Sequence, residues 1–232
     1  MNNFKTPMDS SWSTMMGDRD YRTVIKNSIE SVGRELDYKF DKEDLKKIHA
    51  SEVTGCLRRA FYDRTDEIER DRTSFSDLIG GMFRQLEFGA QPKDFSLEDI
   101  SLEAQADLIV DDLVMVFRST GEHPESPYAK DLVYINACMW AYDKVDGVII
   151  YINGHGDEIS FSVTKNKKMF EETIRRVRVL NDLLKERKTP ILETSVECTE
   201  CQYFERCYTK KKAGKTINFF GAGNDFLSSL KS

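Results

Sequence analysis

Apolar residues recur along this chain with two different periods. From Tyr21 onward, Val24, Ile25, Ile29, Val32 and Leu36 fall at helical spacing. Ser51 is a good N-cap with Glu52 behind it, so a second helix is expected there, carrying Val53, Cys56, Leu57, Ala60 and Phe61. Residues 75–88 read as a third, with Leu78, Met82, Phe83 and Leu86 apolar. The period then shortens. Residues 100–110 alternate loosely, Asp111-Asp112 marks a turn and 113–117 is rich in β-formers, which together predict a hairpin. Pro124 and Pro127 punctuate a loop ahead of a helix over 128–142. Strands over 148–152 and 159–163 flank a Gly154-His155-Gly156-Asp157 turn. A long amphipathic helix follows, with Phe170, Ile174, Val177 and Leu184 on one face and Thr189-Pro190 ending it. Helices around a small central sheet make the fold α/β or α+β. A loose polar arm over 1–20, a main domain over 21–194 and a cysteine-rich basic segment over 195–232 complete the plan.

Charge changes the picture of partners. The 232 residues carry 34 Lys and Arg against 40 Asp and Glu, a formal net charge of −6, while 14 Phe and 9 Tyr supply a core and exclude global disorder. No stretch approaches the roughly 18 consecutive apolar residues of a membrane span, so no membrane partner is expected. The N-terminal residues lack a basic stretch followed by an apolar one; a reducing, cytoplasmic setting is expected. An acidic total counts against nucleic acid, yet the charge is uneven. Residues 164–216 hold 14 Lys and Arg against 8 acids, whereas 1–163 hold 19 against 31. Arg175, Arg176, Arg178, Lys210, Lys211 and Lys212 are therefore candidate phosphate contacts. The plain alternative for the three arginines is a solvated helix face.

Five cysteines are a poor disulfide framework in a chain without an export signal. Four form a set: Cys56, then Cys198-x2-Cys201-x5-Cys207. A Cys-x2-Cys turn aims two thiolates at one metal and a third can close on it; Tyr203 and Phe204 are bulky enough to shield the result. Four thiolates suit structural zinc or a [4Fe–4S] cluster, and spacing leaves both open. Cys138, among Ile135, Ala137 and Met139, reads as core.

Cys56 sits in Ser51-Glu-Val-Thr-Gly-Cys56-Leu-Arg-Arg-Ala-Phe-Tyr62. Set beside the C-terminal cysteines, this segment resembles the iron–sulfur branch of the RecB-like PD-(D/E)XK nucleases. Within that branch the chain is most similar to the CRISPR-associated exonuclease of the spacer-acquisition module and its viral relatives, and more distantly to the AddB nuclease domain. The resemblance spans the 160 residues from Ile48 to Cys207. It implies a PD-(D/E)XK core with its ends stapled by a [4Fe–4S] cluster on Cys56, Cys198, Cys201 and Cys207, in preference to zinc. It also implies DNA, as single strands or ends, and CRISPR adaptation or recombination proteins as partners.

Carried over position by position, the catalytic motifs depart from the family pattern. Arg84, in Gly80-Gly-Met-Phe-Arg84, stands where the family has a metal-binding His. Asp107 is the intact strand carboxylate. In the Glu-x-Lys that follows, Val116 replaces Glu and Arg118 replaces Lys, while Asn136-x3-Trp140 stands for Gln-x3-Tyr. Valine offers no oxygen to a catalytic Mg2+ or Mn2+, and a lone carboxylate holds a hard cation weakly. Arg118 keeps a positive charge but cannot act as a base. The expectation is a nuclease-family protein that binds DNA without cutting it. Two alternatives stand beside it. One is an active metal-dependent exonuclease using Asp107 and a relocated carboxylate, with Glu87 on the face of Arg84 as a candidate and Glu103 about 13 Å along the strand, too far. The other is a protein-interaction scaffold or decoy. His49 and His155 read as loop or turn residues.

Overall fold

The computed structural model describes residues 41–66, 81–82, 84, 89–208, 210–212 and 215–217. The expected N-terminal arm, the helix from Tyr21, most of the 75–88 helix and Glu87 lie outside the described residues.

The elements run β1 (Lys47–His49), α1 (Ala50–Thr54), α2 (Leu57–Thr65), β2 (Lys93–Leu97), β3 (Ile100–Ala104), β4 (Leu108–Val110), β5 (Leu113–Ser119), α3 (Ala129–Ala141), β6 (Asp146–Ile152), β7 (Glu158–Thr164) and α4 (Lys167–Lys185). A 3-10 turn (Val196–Glu200), α5 (Phe204–Tyr208), β8 (Lys210–Lys212) and β9 (Lys215–Ile217) follow. The result is a mixed α/β arrangement of small sheets flanked by helices. One sheet has the order β1-β3-β2, with β1 parallel to β3; a second has the order β4-β5-β6-β7, and β8 and β9 pair as a third. In the second, β4 and β5 form the expected hairpin (Leu108 opposite Met115), α3 crosses over to the parallel strand β6, and β7 returns antiparallel. The core fills the space between sheets and helices with Val114, Val116, Ile149, Ile135, Met139, Val177 and Leu180, all fully buried. Gly147 leaves room on β6 for the tip of Ile135 from α3, since a Cβ there would sit 2.8 Å from Ile135 Cδ1 and push that side chain aside.

Three boundaries differ from the expectation, each for a local reason. The residues expected as one strand over 100–110 divide between two sheets, β3 and β4. The helix expected from Ser51 begins one residue earlier, because His49 is the N-cap. Its ring accepts the Ser51 N–H (3.2 Å), and the Glu52 carboxylate accepts the His49 N–H (2.7 Å) in a capping box. It then breaks at Gly55, so Cys56 is the extended N-cap of α2 rather than a mid-helix residue. At the other end, α4 stops at Lys185, ahead of Thr189-Pro190. Arg187 adopts a left-handed φ of 52°, and the N–H groups of Lys188 and Arg187 close on the carbonyls of Leu183 and Leu184, a Schellman arrangement.

Candidate functional site

Asp107 ends the approach to β4, and its own N–H bonds the Met115 carbonyl (3.1 Å), which locks it to the hairpin. Its carboxylate is buried. Oδ2 accepts the Phe117 N–H at 2.8 Å, and Oδ1 accepts Arg84 Nη1 at 2.5 Å. Arg118 Nη1 stands 3.7 Å from Oδ2. Two guanidinium groups thus face the one intact carboxylate of the expected motif. Val116 is fully buried in the core, opposite Ile149. At these positions the described side chains do not suit a divalent catalytic cation: one carboxylate is bonded to arginine and the neighbouring position has no donor atom.

A second carboxylate joins the network from α3. Asp131 lies in the first turn of that helix, where the positive end of the backbone dipole favours it. Its Oδ1 accepts Arg118 Nε (3.0 Å) and its Oδ2 accepts the Tyr151 hydroxyl (2.8 Å), which in turn accepts the Tyr128 N–H (3.0 Å). The Arg118 guanidinium also lies 4.7 Å from the Tyr134 ring centroid, and the Tyr134 hydroxyl donates to the Gln105 carbonyl (2.6 Å). Burial alone would lower the Arg118 pKa, but Asp107, Tyr134 and Asp131 more than reverse this and raise it. Burial raises Tyr134 as well, and it raises Cys138 beneath them, which stays a thiol. The assembly is a charge-balanced chain of Arg84, Asp107, Arg118 and Asp131, with both carboxylates buried and both guanidinium groups half-buried.

Asn136 and Trp140 lie elsewhere. At 100° per residue Asp131, Tyr134 and Cys138 share one face of α3, and Asn136 and Trp140 lie on the opposite one. Asn136 is fully buried and exchanges two 2.8 Å hydrogen bonds with the Asn166 backbone, tying α3 to the start of α4. Trp140 stacks on Phe170 with ring centroids 4.6 Å apart, beneath the Lys165 ammonium. Asp131 and Tyr134 are thus the partners of Arg118 that sequence reasoning missed; only their i, i+3 spacing hinted at a shared face. His49 is buried at the end of β1, while His155 is exposed in the β6–β7 turn.

Cys56, Cys198, Cys201 and Cys207 line one cavity together with Leu192, Tyr203, Phe204 and Tyr208. Successive turns wind the C-terminal three around it: the Cys201 N–H bonds the Cys198 carbonyl (3.2 Å), Phe204 that of Cys201 (2.9 Å) and Cys207 that of Tyr203 (2.9 Å). Burial raises the Cys198 thiol, but hydrogen bonds from the Ser195 N–H (3.4 Å) and the Tyr208 hydroxyl outweigh it and lower the pKa. Burial raises that of Cys207. Four thiols behind aromatic walls suit zinc or an iron–sulfur cluster in number and chemistry. As placed, no three Cys, His, Asp or Glu side chains among the described residues stand close enough together to hold an ion. Side chains tie the segment to α2. The Tyr203 hydroxyl donates to Asp63 (2.9 Å), Arg206 pairs with Asp66, and its guanidinium lies 3.8 Å from the Tyr62 ring centroid.

Of the expected DNA contacts, Arg176 is committed inward, donating to the carbonyls of Val53 and Gly55 just ahead of Cys56. Arg175 pairs with Glu172 (2.6 Å), and Arg178 faces Glu98 (3.9 Å). Lys210–Lys212 form β8, paired with β9 in a small hairpin.

No protein-family model matches the chain, and no curated protein matches it. Among solved structures, SSO0001 superposes with a TM-score of 0.55 at 12% identity, over 80% of this chain and 94% of that one. LHK-Exo, an alkaline exonuclease from Laribacter hongkongensis, gives a TM-score of 0.41 at 9% identity, over 62% and 90%. A phage-related exonuclease from Haemophilus somnus 129PT gives 0.32 at 11%, over 79% and 92%. Of these three, the likeness to SSO0001 bears on the fold, and at that identity it is a likeness of fold alone. No described helix is long and apolar enough to cross a membrane.

Proposed function

We propose that this chain is a nuclease-fold protein of the iron–sulfur RecB-like kind that binds DNA, as single strands or ends, without hydrolysing it. The observation that carries the reading is Asp107 held between Arg84 and Arg118, with Val116 buried where a second carboxylate would stand. Hydrolysis by the implied chemistry needs a cation held by at least two carboxylates to polarise the phosphate and acidify water. Here the guanidinium groups supply the positive charge. They can neutralise a carboxylate or attract a phosphate, but with no accessible neutral form they cannot take a proton from water.

Cys56, Cys198, Cys201 and Cys207 would hold the [4Fe–4S] cluster through their thiolates, and its irons would cross-link the start of α2 to the C-terminal segment. This rests on the sequence resemblance, supported by the shared cavity. Anaerobically purified protein should absorb broadly near ~400 nm; a colourless protein with bound zinc would replace the cluster with the other four-thiolate option. End-labelled single strands with Mn2+ should be retained on the protein uncut, with salt-sensitive affinity. Absence of binding sinks the proposal.

The competing reading, an active exonuclease, has one observation in its favour: Asp131 is a second buried carboxylate on the same arginine. It requires Mn2+-dependent cleavage that both Asp107→Ala and Asp131→Asn abolish.

A further inference from the structure

A cleft of about 520 Å3, a size typical of ligand sites, opens beside the β4–β5 hairpin, lined by Gly89, Gln91, Lys93, Ile109, Tyr142 and Lys144. Its walls are fixed. The Tyr142 hydroxyl donates to the Gln91 carbonyl (2.5 Å), and Gly89 bridges to Leu108. A Cβ on Gly89 would fall 2.1 Å from the Arg84 carbonyl oxygen, so only glycine lets this wall pass Arg84.

The charge in the cleft is cationic and weakly matched. Lys93 is exposed, makes no ion pair among the described residues, and holds its ammonium 6.0 Å from the Tyr142 ring centroid. Lys144 pairs with Asp112 (2.5 Å), but that carboxylate is 96% exposed, so solvent and an incoming anion compete for the lysine readily. Two ammonium groups beside an aromatic wall match a phosphate carrying a sugar and base.

We propose that this cleft is a phosphate-binding subsite, taking either a 5′-mononucleotide or a phosphodiester of a DNA strand. It deepens the DNA-binding reading and rests on it for the strand arm only.

The test uses the full chain and two probes: dTMP by calorimetry, and a fluorescein-labelled oligothymidylate by anisotropy. Lys93→Glu and Lys144→Glu should each weaken binding by about tenfold and reduce the salt slope by about one. Lys93→Ala, at an exposed side chain, should weaken it with an unchanged circular dichroism spectrum. Lys167→Glu, on the exposed face of α4, should leave it unchanged. Loss with dTMP assigns a nucleotide, and loss with the oligonucleotide alone assigns a strand. If the lysine reversals weaken binding of neither dTMP nor the strand, the subsite is overturned and the DNA-binding reading stands. Failure of wild-type protein to bind either probe overturns both.

Discussion

Arg118 is held by Asp107, Asp131 and the face of Tyr134, and its side chain is largely enclosed. Removing it leaves two buried carboxylates facing each other's neighbourhood without a shared cation. Arg118→Ala should therefore lower unfolding free energy by about 3–5 kcal/mol, the cost of breaking a buried pair from one side. Arg118→Lys should recover part of this, because an ammonium restores charge without the planar fork. Urea denaturation measures both; an unchanged midpoint in the alanine variant would show the network to be idle. Part of this cluster was legible in the sequence: Arg84, Asp107 and Arg118, singled out there, come together in the fold, and the buried Val116 has no donor atom for a metal. Asp131 and Tyr134 were not. An acid in a first helical turn reads as a partner of the helix dipole, and its bond to a β5 arginine exists only once α3 has packed on the sheet.

At the scale of elements, periodicity located the hairpin, α3, β6, β7 and α4, whereas their ends were set by single hydrogen bonds. A histidine N-cap carries no strong sequence signal, and a left-handed arginine at a helix end carries none, so the entry to α1 and the exit from α4 were misplaced. The same blindness applies to Arg176. Among its neighbours Arg175 and Arg178 it looks like one more surface charge, yet it closes the carbonyls of Val53 and Gly55 and joins α4 to the turn ahead of Cys56. Arg176→Ala should cost about 1.5–3 kcal/mol, because it strands those acceptors. Arg175→Ala, which removes an exposed pair, should leave the denaturation midpoint where it was. Equal effects of the two substitutions would contradict this division of labour.

At the scale of the whole molecule, basic residues of the last third pair with acids of the first part among the described residues. The chain folds one against the other: Arg178 meets Glu98, Lys185 meets Asp99 and Lys165 meets Asp143. Segment charge could be counted from the sequence, but which acids would lie opposite α4 depended on how the β1-β3-β2 sheet docks. The C-terminal cysteine segment is likewise tied back to α2 through Asp63 and Asp66, ordinary side chains that meet beside the cavity lined by the four cysteines. The arginine-closed carboxylate network is the claim on which the functional reading turns. It is tested most directly by titrating the anaerobically purified protein with Mn2+ and following free Mn2+ by electron paramagnetic resonance, with labelled single-stranded DNA in the same samples. No stoichiometric Mn2+ site and no cleavage is the predicted result. Stoichiometric Mn2+ uptake with strand cleavage, both lost in Asp107→Ala, would contradict it.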